Sequence, residues 1–167
     1  STGTPSDGTV LPASVATGLD FTFNSVSIGK GANSVANNTV LGESALDASV
    51  SGGNNTAVGK EALTSLTSAI SCTAVGQLAG FSHTTGNNLT AIGRGAAYSN
   101  TSGIENTAIG AGALFDNSTG ENNTAVGRLA LENNTTADHN TAMGRSALAA
   151  NTTGNQNNCI SAYSRWI

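Results

Sequence analysis

The chain has 167 residues, 38% of them hydrophobic but only 4% aromatic and 10% charged, with 21 glycines and a net charge of −4. That is one domain's length, yet charged residues fall well below the usual quarter and the large aliphatics that fill an ordinary core are scarce. Six Lys plus Arg scattered along the chain and a pI near 4.9 leave no basic footprint for nucleic acid and no polybasic membrane patch. No apolar run approaches a membrane span and no signal peptide opens the sequence, so no membrane insertion by this segment is expected.

Residues 1–23, with Pro5, Gly8, Pro12 and Gly18, lack any repeat and are read as an N-terminal linker or cap. Residues 24–36 open with Asn24-Ser25-Val26-Ser27-Ile28-Gly29-Lys30-Gly31-Ala32. This pattern recurs downstream, but Gly29 stands 13 residues before Gly42, whereas later glycines are 17 apart. A coil four residues shorter than the rest is predicted there.

Self-similarity then governs residues 37–155, and it decides the fold class. Thr-Ala-Val/Ile-Gly recurs at Thr39, Thr56, Thr73, Thr90, Thr107, Thr124 and Thr141, always at an interval of 17. Three residues after each Thr stands a glycine: Gly42, Gly59, Gly76, Gly93, Gly110, Gly127 and Gly144. Such a column marks a turn with positive φ or a close backbone approach. Six residues after the Thr stands Ala, usually followed by Leu, which predicts a second short strand in each unit. Asn-Thr-Thr-Gly-like strings close the unit with turn chemistry. Seventeen residues cannot hold two helices, so each unit is one β coil of a flattened roll. Residues 156–167 are read as a decayed eighth coil and a C-terminal cap, with Tyr163 to Ile167 plugging the open end.

Alternation along the strand puts the Thr and the aliphatic two residues later (Val58, Val75, Ile92, Ile109, Val126) on one face, and Ala and the preceding Asn on the other. One aliphatic and one Leu per coil is a thin apolar supply for a monomer. The small Ala face suits close packing against identical rolls, so a homo-oligomer is expected. The Asn column before the Thr (Asn38, Asn55, Asn106, Asn123, Asn140, Asn157) admits Cys72 and Leu89 in two coils. A site that tolerates apolar side chains is at least partly buried, so the column reads as a hydrogen-bonded ladder rather than a row of glycan acceptors. A second column, Asn100, Asn117, Asn134 and Asn151, receives the same reading, with His83 in its place in one coil.

With these residues in hand, the sequence resembles the YadA-like heads of trimeric autotransporter adhesins, most closely in Asn24 to Ala32. The seven 17-residue units are similar to the longer repeat of phage tail fibres and of surface fibres of Gram-negative bacteria. The resemblance implies a left-handed parallel β-roll, an all-β solenoid assembled as a parallel homotrimer. It also implies an extracellular place on a bacterial surface or phage tail fibre and an adhesive or recognition role.

Candidate binding residues fall in two columns. Phe81, Tyr98 and Phe115 stand eight residues after the Thr in successive coils, with Trp166 in the same register. They suit sugar stacking, or simply seal a corner of the roll. Lys60, Arg94, Arg128 and Arg145 follow the glycine and suit an acidic surface glycan, or form a solvated face. Cys72 and Cys159 lie five coils apart, too far to pair, and are expected to be buried free thiols. The histidines show no metal-ligand or catalytic spacing, so no metal, cofactor or enzyme activity is expected. The reading is a recognition segment of a trimeric fibre that binds a cell-surface glycan or envelope protein of a host or prey cell. A structural spacer and an ice-binding solenoid stand as alternatives.

Overall fold

The computed structural model describes residues 20–161; the linker reading before Asp20 and the plug at Tyr163 to Ile167 lie outside the described residues. Ten strands form one sheet in chain order. They are β1 (Phe21–Phe23), β2 (Val26–Gly29), β3 (Thr39–Gly42), β4 (Thr56–Val58), β5 (Thr73–Val75), β6 (Thr90–Ile92), β7 (Thr107–Ile109), β8 (Thr124–Val126), β9 (Thr141–Met143) and β10 (Asn158–Ile160). From β3 to β10 every neighbour is parallel and each residue pairs with its equivalent 17 positions on, as Thr107 does with Thr124 and Ile109 with Val126. The molecule is an all-β parallel solenoid of about seven 17-residue turns, with no α-helix among the described residues.

The predicted short coil at 24–36 has a different form. β2 runs antiparallel to β3, with Ile28 opposite Leu41, and antiparallel to β1 on its other side. Asn24 and Ser25 have φ of 47° and 66°, the two positive values of a tight two-residue hairpin. Both Asp20 carboxylate oxygens then accept from the backbone: Oδ1 from Lys30 at 2.6 Å and Oδ2 from Gly31 at 2.7 Å. The hairpin thus covers the first parallel edge.

The glycine column acts through steric exclusion as well as conformation. Gly76 has φ of 135°, and a Cβ there would lie 2.6 Å from the Gly93 carbonyl oxygen in the next coil. The second predicted strand does not form. Ala62 and Leu63 are adjacent yet both fully buried, which a strand cannot achieve because successive side chains point to opposite faces. The chain instead turns at Glu61 and Leu63, with φ of 58° and 50°, and the same left-handed Leu recurs at Leu46, Leu114, Leu131 and Leu148. Hydrogen bonds between coils continue through these turns, as from Leu114 N–H to the Ala130 carbonyl at 2.8 Å.

The strand's two faces also differ from expectation. Ala57, Ala74, Ala91, Ala108, Ala125 and Ala142 are fully buried inside the chain's own roll, so the Ala face does not pack on a neighbour. Outward stand the half-buried Thr column and the aliphatics. Leu41, Val75, Ile92, Ile109 and Met143 are each more than a third exposed, and Val58 and Val126 in the same column are half-buried. Val40 stands in the same inward column in the first coil, buried together with Leu46, so the interior takes Val there and Ala in the later coils.

Candidate functional site: an aromatic and arginine groove, and a sealed cysteine–histidine contact

Two amide ladders run through the interior beside its Ala and Leu core. Asn106 Oδ1 accepts from Asn123 N–H at 2.9 Å, and Asn123 Oδ1 accepts from Asn140 N–H at 3.0 Å. Asn38 and Asn55 do the same for the first coils, Asn55 Oδ1 accepting from Cys72 N–H at 2.9 Å. In the second column each amide nitrogen donates to the oxygen one coil back: Asn151 to Asn134, Asn134 to Asn117 and Asn117 to Asn100. Every buried side-chain nitrogen and oxygen among the described residues is partnered. Both columns are therefore structural, as their tolerance of Cys72, Leu89 and His83 indicates.

The second ladder ends on His83. Asn100 Nδ2 donates to His83 Nδ1 at 3.0 Å, so Nδ1 is the acceptor and the proton sits on Nε2, donated to the Gly86 carbonyl. Cys72 Sγ lies 3.6 Å from the same Nε2. Sequence spacing alone did not reveal this contact. It becomes legible once the two columns are recognised as interior positions facing each other across one coil.

A thiol, an imidazole and an Asn amide in contact invite comparison with a nucleophilic constellation, and the chemistry runs the other way. Cys72 and His83 are both fully buried. Burial pushes the Cys72 thiol above its ordinary pKa and the His83 imidazole below its own. A nucleophilic cysteine needs the opposite shift and a neighbouring base with a free lone pair. Here Nε2 carries a proton and Nδ1 is occupied. Cys159 likewise forms no disulfide but is only half-buried, unlike the expected buried pair.

The expected binding columns meet on the outside. Phe81, Tyr98 and Phe115 stack with centroids 5.0 and 4.9 Å apart and planes within 5°. Coil spacing imposes that arrangement, since equivalent side chains repeat at the interstrand distance. Both faces of Tyr98 are covered by its neighbours. Sugar stacking on ring faces is thus limited to the two ends of the pile, and its sides present ring edges.

Beside the stack runs a groove of about 410 Å³. Tyr98 and Phe115 form one wall, Arg94 and Arg128 the other, with Ala111 between the arginines. Gly95 and Gly112 line it where other coils carry a side chain, and Leu78, Leu129 and Glu132 complete it. The structure therefore gathers four of the six expected binding residues; Phe81 belongs to the stack but not the groove, and Arg145 follows in the next coil's exposed column. Lys60, in the arginine column, pairs with Glu43 at 3.1 Å, and that contact raises its pKa.

Comparison with known proteins finds no match to this chain among family models, curated proteins or solved structures.

Proposed function

We propose that the chain is a non-enzymatic recognition segment of a trimeric fibre, displayed outside the cell on a bacterial surface or phage tail and binding a cell-envelope target. The observation that supports it is the row of outward aliphatics, Leu41, Val75, Ile92, Ile109 and Met143, at one place on successive strands. A continuous apolar row of this kind marks a contact surface. A parallel assembly of identical copies would set each coil against its own equivalents, and closing that contact by rotation keeps the number of copies finite. The YadA-like strings favour three. Burial of the one thiol–imidazole contact supports a role without catalysis.

Light scattering on dilute and concentrated protein tests the assembly. A mass three times 16.5 kDa is expected, falling to that of the monomer when Val75 and Ile109 are both changed to Lys. A stable wild-type monomer would overturn the trimer. Loss of cell binding with the trimer intact, on changing the groove residues, separates recognition from a spacer role.

The same face supports a second reading. Its Thr column and Val/Ile column lie side by side on one parallel sheet as a regular outward array, although the strands carry no Thr-x-Thr pattern. Thermal hysteresis from a monomeric chain would favour that reading over the fibre.

A further inference from the structure

The groove between β6 and β8 departs from the repeat in ways that backbone geometry does not require. Five residues after the Thr, the chain carries Ser44, Glu61, Leu78, Leu129 and Ser146 in other coils, but Gly95 and Gly112 in the two coils that line the groove. All these positions have positive φ: 64° and 66° at the glycines, and 60° at both Leu78 and Leu129. The backbone therefore accepts a side chain here, and the two glycines instead make room for residues that line the groove: a Cβ at Gly95 would lie 3.2 Å from the Phe115 ring and one at Gly112 2.7 Å from Leu129 Cδ2.

Charge is distributed just as unevenly. Arg94 and Arg128 are exposed and have no carboxylate within ion-pair distance among the described residues, unlike Lys60 with Glu43. Ala111 leaves the space between them clear, so the guanidinium groups stand two coil rises apart, about 10 Å along the sheet. The opposite wall adds potential of the same sign. Stacked rings have their negative faces covered by one another and present their positive edges sideways.

A neutral sugar binds aromatics through ring faces, which this stack withholds. An anion is favoured by both walls, and a planar carboxylate fits the guanidinium fork. The groove runs along the fibre axis, which suits a linear chain, and Leu78 and Leu129 offer apolar contact to sugar C–H faces at its ends. Within the groove the two charge points are separated by the neutral Ala111 coil, Arg145 lying one coil beyond its lining; that spacing matches carboxylates on alternate sugars, and Glu132 at one end disfavours a denser polyanion.

From these features we infer that the groove binds an anionic polysaccharide with a carboxylate on every second sugar, gripped by Arg94 and Arg128 and laid against the edges of Tyr98 and Phe115. This rests on the recognition reading above and gives it a ligand class.

The experiment titrates the assembled full chain with hyaluronan oligosaccharides, which alternate a uronate with a neutral sugar. Dextran serves as the neutral control and oligoglutamate as the peptide control. Binding to hyaluronan alone is expected, weakening as salt rises. It should fall at least about tenfold in Arg94→Gln/Arg128→Gln and in Ala111→Glu, which sets a carboxylate between the two cations. No hyaluronan binding, or binding unchanged in both variants, overturns the assignment. Equal binding of oligoglutamate, lost in the same variants, overturns it in favour of an acidic peptide partner. Scattering mass and cell binding on the same samples separate the two proposals. A trimer that binds cells but not hyaluronan removes the groove's ligand and keeps the fibre. Hyaluronan binding by a monomer does the reverse.

Discussion

A methyl group at Gly76 would sit 2.6 Å from the Gly93 carbonyl oxygen, on a backbone with φ of 135°. Neither coil can give way without breaking its ladder. Gly76→Ala is expected to lower stability by about 3 kcal/mol or more, read from chemical denaturation. His83 is the other position where one side chain controls behaviour. Burial holds its imidazole below the ordinary value of 6.5. Above that value it is neutral both folded and unfolded, and the native state keeps its full stability. As pH falls below about 6.5, the unfolded chain takes up a proton that the native imidazole refuses, and stability declines until the lowered native pKa is passed. His83→Asn should flatten this part of the stability–pH curve. The replacement amide can donate to Gly86 and accept from Asn100, as Asn100 itself donates to Gly103 at 3.1 Å and accepts from Asn117.

In the coil begun by β5 two facing columns change together. Gly80 replaces the usual inward Leu, and Leu89 replaces the usual Asn on the opposite side. A Cβ at Gly80 would lie 2.8 Å from Leu63 Cδ2 in the preceding coil and 3.3 Å from Leu89 Cδ2, so Leu63 and Leu89 together fill the space that the glycine vacates. In the coil begun by β7 the partners are the normal Leu114 and Asn123. Asn123→Leu alone is therefore expected to cost about 2–4 kcal/mol, from overpacking together with the loss of the Asn123 Oδ1 acceptor of Asn140 N–H and Nδ2. Adding Leu114→Gly should restore part of that loss. A double-mutant cycle with no coupling between the two sites would refute this matching.

How much of this was legible beforehand follows the same physics. The period, the glycine column and the internal Asn ladders can be read from sequence because each is a one-dimensional repeat with one chemical explanation. The side of the strand that faces inward cannot. Alternation yields two apolar faces without ranking them: Ala, with Val40 in the first coil, faces inward, and the bulkier aliphatic column faces out. The left-handed Ala–Leu corner escapes propensity reasoning because Leu at positive φ is costly, and only repetition of the coil makes it tolerable. Asn24-Ser25 is a hairpin turn by chemistry, but the repeat-like string around it favoured a coil. Of the site, the two columns were legible, while Gly95 and Gly112, which make room for Phe115 and Leu129, were not. A missing side chain in a Gly-rich sequence carries no signal until its neighbours are placed.

At the scale of the molecule, one outer face is apolar and the corner beyond its glycine turns carries the exposed arginines. The first serves assembly and the second recognition in the function proposed here, so the two can be tested by separate substitutions. Along the axis the roll is also not uniform. From β4 to β6 the two Asn columns are interrupted by Leu66, Cys72, His83 and Leu89, whereas from β7 onward both run unbroken. The inward leucines make no such division, since Leu114, Leu131 and Leu148 continue through the second stretch. Consecutive amide bonds polarise one another, so the unbroken stretch gains a continuity that the interrupted one lacks. The solenoid is thus stapled along only part of its length, and hydrogen exchange should open the interrupted coils before the laddered ones.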